Sequence, residues 1–334
     1  MGKVAIHGFG RIGRSVLKAA LKHNLWSPFS VSDIRDIPTF AALFKADSNY
    51  GLWHEDVQAT ENGFVIGGRE IHYYNSMNEL PKWGDLGVDL VIECTGRAVT
   101  RAGAQPHLDN GAKRVLVSGP SKSKEDCDAF LLAGINVDSY DAEKHRIVSM
   151  ASCTTNALAP VVKVMKEVFG IEHGLFSTVH AYTNTQSLTD QPMKDRRDSW
   201  AATENIIPSS SGAAKALAFV YPELAGKLNG KAYRVPTRTG SIAEINIVTS
   251  RPTTAEEVNA AFVKAAGEAP LKGVLAVLHE EWTSTRIVGD PHSSIIDLPL
   301  TQVMGGTLVS ICAWYDNEMG YSTRLAEMAA LMAA

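Results

Sequence analysis

Residues 3–24, KVAIHGFGRIGRSVLKAALKHN, read as a strand, a glycine turn and a helix. The apolar run Val4–Ile6 is short and apolar on both faces, the pattern of a strand buried inside a parallel sheet. From Ile12 onward, Val16, Leu17, Ala20 and Leu21 recur at helical spacing. The intervening GFGRIG places glycines at 8, 10 and 13. The first glycine permits a tight turn, the second lets a ligand approach the backbone, and the third lets helix and strand pack closely.

The next strand, FSVSDI, ends at Asp33, twenty positions beyond Gly13. A strand before the turn, a helix after it and an acidic residue at that distance together point to a dinucleotide site. The helix N-terminus would take the pyrophosphate, and the Asp33 carboxylate would take the ribose hydroxyls of NAD. Arg35, two residues on, could accommodate the extra phosphate of NADP, so that cofactor stays open as an alternative. Further strands are expected at DLVIECTG (89–96) and RVLVSGP (114–120), with a helix in RAGAQPHLDNGAK between them. Strands alternating with helices imply a doubly wound parallel sheet. SKSKEDCDAF (121–130) reads as a polar surface excursion.

Near residue 150 the texture changes. A helix over 157–169 precedes a strand in GLFSTVHAYT, and a long polar stretch follows (182–204). SIAEINIVTSR, GVLAVLHEEW and GTLVSICAWYDN alternate like antiparallel strands with one wet face. TAEEVNAAFVKAAG is a helix with Thr254 as N-cap and Glu257 three residues on. STRLAEMAALMAA closes the chain as a helix. The expected division is a dinucleotide-binding domain over 1–150, a catalytic domain over 151–320 built on a mixed, largely antiparallel sheet, and a last helix (321–334) that returns to the first domain.

The chain has 334 residues, 32 basic and 36 acidic, for a net charge of −4. That balance gives no electrostatic case for nucleic acid or an anionic membrane. No apolar run approaches the roughly 20 residues of a membrane helix, and residues 1–14 lack a signal-peptide layout. Cys94, Cys127, Cys153 and Cys312 form neither a CxxC pair nor a paired framework. They argue for a reducing compartment, the cytoplasm, and against a bound metal.

Cys153, in SMASCTTNALAP, sits among small polar residues at the start of a helix, where the dipole favours a thiolate. Its best partner base is His180, at the end of the following strand. Spacing alone leaves a structural cysteine and histidine as an equal alternative.

GFGRIGR, SCTTN, TVHAYT, NIIPSSSGAAKA, RVPT and WYDNEMGYS occur in that order. The chain thereby resembles the phosphorylating glyceraldehyde-3-phosphate dehydrogenase family, from Val4 to Leu331. The resemblance implies a Rossmann-type domain and an NAD-dependent oxidation of D-glyceraldehyde 3-phosphate to 1,3-bisphosphoglycerate. It makes Cys153 the nucleophile and His180 the base, standing as a thiolate–imidazolium pair, with a hemithioacetal and then a thioester on the sulfur. It puts Ser152, Thr154, Thr183, Arg197, Ser211, Gly212 and Arg234 at two phosphate sites. Gly8, Gly10, Arg11, Ile12 and Gly13 form the pyrophosphate turn, Asp33 anchors the ribose, and Thr95, Ser118 and Asn317 contact the cofactor. It further implies a homotetramer in which the 182–204 loop lines a neighbour's cofactor site. Five positions depart from the family pattern: Ser76 and Trp200 replace arginines, Ala157 a cysteine, Arg286 an aspartate and Ser211 a threonine. The competing readings are an erythrose-4-phosphate dehydrogenase, which transfers the acyl group to water, and a non-catalytic redox-sensing or binding relative.

Overall fold

The computed structural model describes residues 2–26, 28–121 and 123–334. Two compact units emerge. One comprises Met1–Leu131, Asp138–Ala151 and Ser322–Ala334; the other comprises Leu132–Val137 and Ser152–Tyr321.

The first unit is built on a nine-stranded sheet. Its order is Ala129–Phe130, Ile147–Ser149, Arg114–Val117, Val88–Glu93, Lys3–His7, Pro28–Asp33, Arg69–Asn75, Gly63–Ile66 and Val57–Thr60. The first seven run parallel, and an antiparallel meander finishes one edge. Val4, Ala5, Ile6, Leu90, Val91 and Ile92 are wholly buried, as expected of parallel strands covered on both faces. Lys3–His7 lies between Pro28–Asp33 and Val88–Glu93, so chain order reverses on either side of it. Ligands of such sheets bind beyond the strand C-termini at that reversal, which here is the ring of His7, Asp33 and Glu93.

The glycine turn leads into the helix Arg11–Lys22. Gly8 has φ +90, and a Cβ there would stand 2.7 Å from Thr95 N; a Cβ on Gly13 would stand 2.1 Å from Gly8 O. Phe9 points the other way, into the core, within 5.5 Å of Phe40 and 5.7 Å of Phe64 between ring centres. Burying such a ring contributes on the order of 2–3 kcal/mol, which ties the turn to the core. The 121–130 stretch is not wholly a surface excursion: Cys127 is buried and Ala129–Phe130 adds a strand parallel to Ile147–Ser149, because its apolar residues cover the sheet edge.

The second unit carries an eight-stranded mixed sheet. Its order is Ile207–Ser210, Leu228–Val235, His173–Ala181, Ser241–Val248, Leu308–Tyr315, Ser294–Asp297 and Leu275–Leu278, with Gln302–Met304 beside Leu308–Tyr315. Most pairings are antiparallel. The GVLAVLHEEW strand is an exception: Leu275–Leu278 pairs parallel with Ser294–Asp297, because the chain crosses over before re-entering the sheet. Along His173–Ala181 the residues Phe176, Thr178 and His180 are buried while Leu175 and Val179 are exposed, the period-two alternation of a sheet covered on one side. The cysteine helix spans Cys153–Val168 and starts four residues earlier than expected, since Ser152 caps it. Thr254 accepts a hydrogen bond from Glu257 N at 3.3 Å. The Glu257 carboxylate does not complete a capping box; it accepts from Arg251 and from Thr253, each at 2.8 Å.

Candidate active site

In the second unit, the Ser152 hydroxyl accepts from Thr155 N at 3.1 Å and starts the helix at Cys153. His173–Ala181 and Leu228–Val235 run parallel with His180 opposite Arg234. These two placements bring Cys153 Sγ to 3.4 Å from His180 Nε2 and Arg234 Nη1 to 2.5 Å from His180 Nδ1. Ala181 O lies 2.6 Å from the same Nδ1. A carbonyl only accepts and a guanidinium only donates, so Nδ1 serves one of them at a time. With Nδ1–H on Ala181 O, Nε2 carries a lone pair toward the sulfur, the arrangement of a base.

Burial and the neighbouring Arg234 cation lower the pKa of His180 to about 3. Burial raises that of Cys153, with Arg234 and the Thr154 contacts opposing. In the free chain desolvation opposes charging of the thiol and of the imidazole alike.

Tyr315 is a further partner at the site, outside the residues expected from the sequence. Its hydroxyl lies 3.1 Å from Thr154 Oγ1 and 2.8 Å from Thr178 Oγ1, and its ring meets His180 edge-on at 5.8 Å. Burial holds this phenol protonated by raising its pKa. Two signals mark it in the sequence: it lies in WYDNE, and it shares the buried face of its strand with Ile311 and Ala313.

Of the expected phosphate ligands, Arg234 is half-buried and its Nε is buried without a hydrogen-bond partner among the described residues, an open donor suited to an oxyanion. Thr154 is buried with its hydroxyl shared with Tyr315. Thr183 Oγ1 lies 3.1 Å from Gln186 Oε1 and 2.9 Å from Thr185 Oγ1. Ser211 Oγ accepts from Ala213 N at 3.3 Å, and exposed Gly212 caps the helix Ala213–Val220. Arg197 is exposed, its Nη1 3.5 Å from Pro208 O. Asn317 is buried, and its Oδ1 accepts from Ser241 Oγ at 2.9 Å and Thr239 Oγ1 at 3.4 Å. Those bonds direct the carbonyl end inward and make the amide nitrogen the end offered to a ligand.

The first unit holds the dinucleotide elements. A Cβ on Gly10 would meet nothing within 4 Å, so the turn is open where a pyrophosphate approaches, and Gly10 provides no side-chain cap for the helix. The Arg11 guanidinium is bound to Asp47 at 3.0 Å, and Ile12 is half-buried. Asp33 Oδ2 accepts from Phe9 N at 2.5 Å and Oδ1 from Ile34 N at 2.6 Å. Each oxygen retains a lone pair for a ribose hydroxyl. Thr95 N donates to Glu93 Oε1 at 2.7 Å, and Ser118 N to Glu93 O at 3.0 Å. Open turn, helix N-terminus and pinned carboxylate fit a dinucleotide.

Residues 2–101 match the NAD binding domain of glyceraldehyde 3-phosphate dehydrogenase, and residues 152–317 match its C-terminal domain. The chain belongs to the glyceraldehyde-3-phosphate dehydrogenase family. It is 45% identical over 334 residues to glyceraldehyde-3-phosphate dehydrogenase 1 of Bacillus cereus, covering 99% of this chain and 98% of that one. It is 46% identical to glyceraldehyde-3-phosphate dehydrogenase of Geobacillus stearothermophilus, over 99% of this chain and 98% of the relative. The Streptomyces coelicolor (strain ATCC BAA-471 / A3(2) / M145) enzyme of the same name is 46% identical over 98% and 97%.

Within this glyceraldehyde-3-phosphate dehydrogenase framework the departing residues are accommodated locally. Ser76 N donates to Asp33 O at 2.9 Å. Ala157 is wholly buried in the cysteine helix, Trp200 is exposed, and Arg286 stacks on Trp282 at 5.1 Å.

Proposed function

We propose that this chain oxidises D-glyceraldehyde 3-phosphate to 1,3-bisphosphoglycerate, with Cys153 as nucleophile and His180 as general base. Family membership supports the reaction, and the 3.4 Å approach of Cys153 Sγ to His180 Nε2 carries the residue roles. NAD, when bound, supplies the hydride acceptor. Gly8, Gly10, Gly13, the Arg11 and Ile12 backbone, Asp33, Thr95, Ser118 and Asn317 would hold it.

The thiol proton passes from Sγ to Nε2 as the sulfur adds to the aldehyde carbon, and from Nε2 to the alkoxide that results, forming a hemithioacetal and returning His180 to its neutral state. His180 then takes the hemithioacetal hydroxyl proton as the carbon loses its hydride, leaving a thioester on Cys153. Phosphate oxygen attacks the thioester carbon; the carbon–sulfur bond breaks, the Cys153 sulfur takes the proton held on His180, and the acyl phosphate leaves. Arg234, Thr183 and Arg197 belong to the lining of the two phosphate sites. Ser152, Thr154, Ser211 and Gly212 belong to the same lining.

The first unit acts as the NAD-binding domain, with the returning helix in it, and the second as the catalytic domain. The enzyme works as a homotetramer in the cytoplasm. Supporting the first, the outer sheet face exposes Leu175, Val179 and Leu308, apolar side chains that a partner subunit would cover. In keeping with the second, all four cysteines are unpaired and no described helix is long and apolar enough to cross a membrane.

The test is NADH formation from the aldehyde, followed at about 340 nm, with and without inorganic phosphate. Phosphate-dependent formation is the expected result. Phosphate-independent formation assigns the acyl acceptor to water, and no formation in either case ends the enzymatic reading.

A further inference from the structure

The first unit encloses a histidine–carboxylate–histidine cluster that the chemistry above leaves unused. His7 ends its strand, Glu93 ends the neighbouring strand, and His107 lies in the helix Arg101–Asp109. Glu93 and His107 are 2% and 1% exposed. His107 Nε2 lies 3.0 Å and His7 Nε2 3.9 Å from Glu93 Oε2, and the two imidazoles meet edge-on at 4.9 Å. One ligand atom from each residue falls within 4.8 Å of the others, a spacing that could surround a metal ion.

Trp83 rules that use out. Its indole N–H, which can only donate, lies 3.1 Å from His107 Nδ1. Nδ1 therefore carries the lone pair, and the ring proton sits on Nε2, donated to Glu93. A metal on Nε2 would require an imidazolate. The cluster is built to hold protons.

His7 is the member that can gain one. Its Nδ1 lies 2.6 Å from Ser32 Oγ, and its Nε2 faces the Glu93 carboxylate, so both nitrogens of an imidazolium meet oxygens able to accept. The groups that face it are Glu93 and Asp33, which favour the cation, and His107, which opposes it; burial lowers its pKa overall. The cluster is joined to the dinucleotide elements on two sides. His7 directly precedes Gly8. Glu93 Oε1 accepts from the backbone N–H and hydroxyl of Thr95, the residue against which Gly8 is packed.

We propose that dinucleotide binding is proton-linked through His7: NAD and one proton bind together, and the His7 imidazolium supplies positive charge directly before the turn that takes the pyrophosphate. The inference rests on the reading of that turn as the NAD site. Bound anion raises the pKa of His7. The gain in affinity is then fully present below the pKa of His7 in the free protein and disappears as pH rises through its pKa in the complex.

NAD affinity is measured by tryptophan quenching between about pH 5.5 and about pH 8.5. The native enzyme binds several-fold more tightly at the acid end, and His7→Asn gives a flat profile. Calorimetry of the native enzyme in two buffers of different ionisation enthalpy, at mildly acidic pH, reports proton uptake on binding, and it decides the matter even where the variant misfolds. A flat native profile, a retained slope in His7→Asn or zero uptake overturns the proposal alone. Absence of NAD binding at every pH overturns the NAD reading with it.

Discussion

His180 and Arg234 stand opposite one another on adjacent parallel strands, with the guanidinium 2.5 Å from His180 Nδ1. A cation there opposes protonation of the imidazole, and it contributes with burial to the depressed pKa of His180. A substrate phosphate that engages Arg234 would offset that charge just as the base is needed. Arg234 thus couples phosphate recognition to proton transfer.

Arg234→Gln separates those two effects. Losing charge-assisted bonds to a phosphate costs about 1.5–3 kcal/mol, so kcat/KM for the aldehyde phosphate falls by roughly 10–100-fold, mostly through KM. In the free enzyme the imidazole becomes easier to protonate. Because the guanidinium touches His180 directly, at 2.5 Å from Nδ1, its loss is expected to favour the imidazolium more than it costs the thiolate, and iodoacetamide alkylates Cys153 faster at neutral pH. Slower alkylation in the variant would contradict this account.

Cys153→Ser abolishes aldehyde oxidation while NAD affinity stays near the native value, as titration calorimetry can show. His180→Asn slows turnover by about 10²–10⁴-fold, the usual scale of a general base. Burial raises the pKa of Cys153, and the charged nucleophile forms only above it. Alkylation of the NAD-free native enzyme therefore climbs with pH into the alkaline range. A plateau already reached at neutral pH would indicate a standing thiolate.

The parts legible in the sequence are those decided by neighbours along the chain. Gly13 answers to the turn it closes, where a Cβ would meet Gly8 O, Asp33 to the end of one strand, and the Thr254 cap to a single turn. What depended on distant pairing was not legible from pattern alone. The register that sets His180 against Arg234 joins residues 54 positions apart, and the Thr154–Tyr315 contact joins residues 161 apart. The family resemblance supplied Arg234, but not its contact with His180. Periodicity likewise could not distinguish the parallel Leu275–Leu278 strand from an antiparallel one, since both alternate.

Ala151, two residues before the nucleophile, has φ +55. Holding an L-residue in this left-handed region costs roughly 1–2 kcal/mol, and glycine returns about 0.5–1 kcal/mol of that to unfolded-state entropy. Ala151→Gly should therefore stabilise by up to about 1 kcal/mol, a rise of about 1–2 °C in Tm for a chain of this length. A lower Tm in scanning calorimetry would mean that the methyl group's packing outweighs the strain.

Leu175 and Val179 are 64% and 42% exposed on the outer face of the second sheet, two residues on either side of Ser177 and so on one stripe. If this face joins subunits, Leu175→Glu combined with Val179→Glu places two carboxylates in an apolar interface. Each costs several kcal/mol when desolvated without a partner, enough to separate subunits at micromolar concentration. Both side chains already meet water in the isolated fold, so the subunit itself should remain folded. Light scattering after size exclusion should then report a smaller species with native circular dichroism. A native-sized oligomer carrying both substitutions would move the subunit contact to another surface.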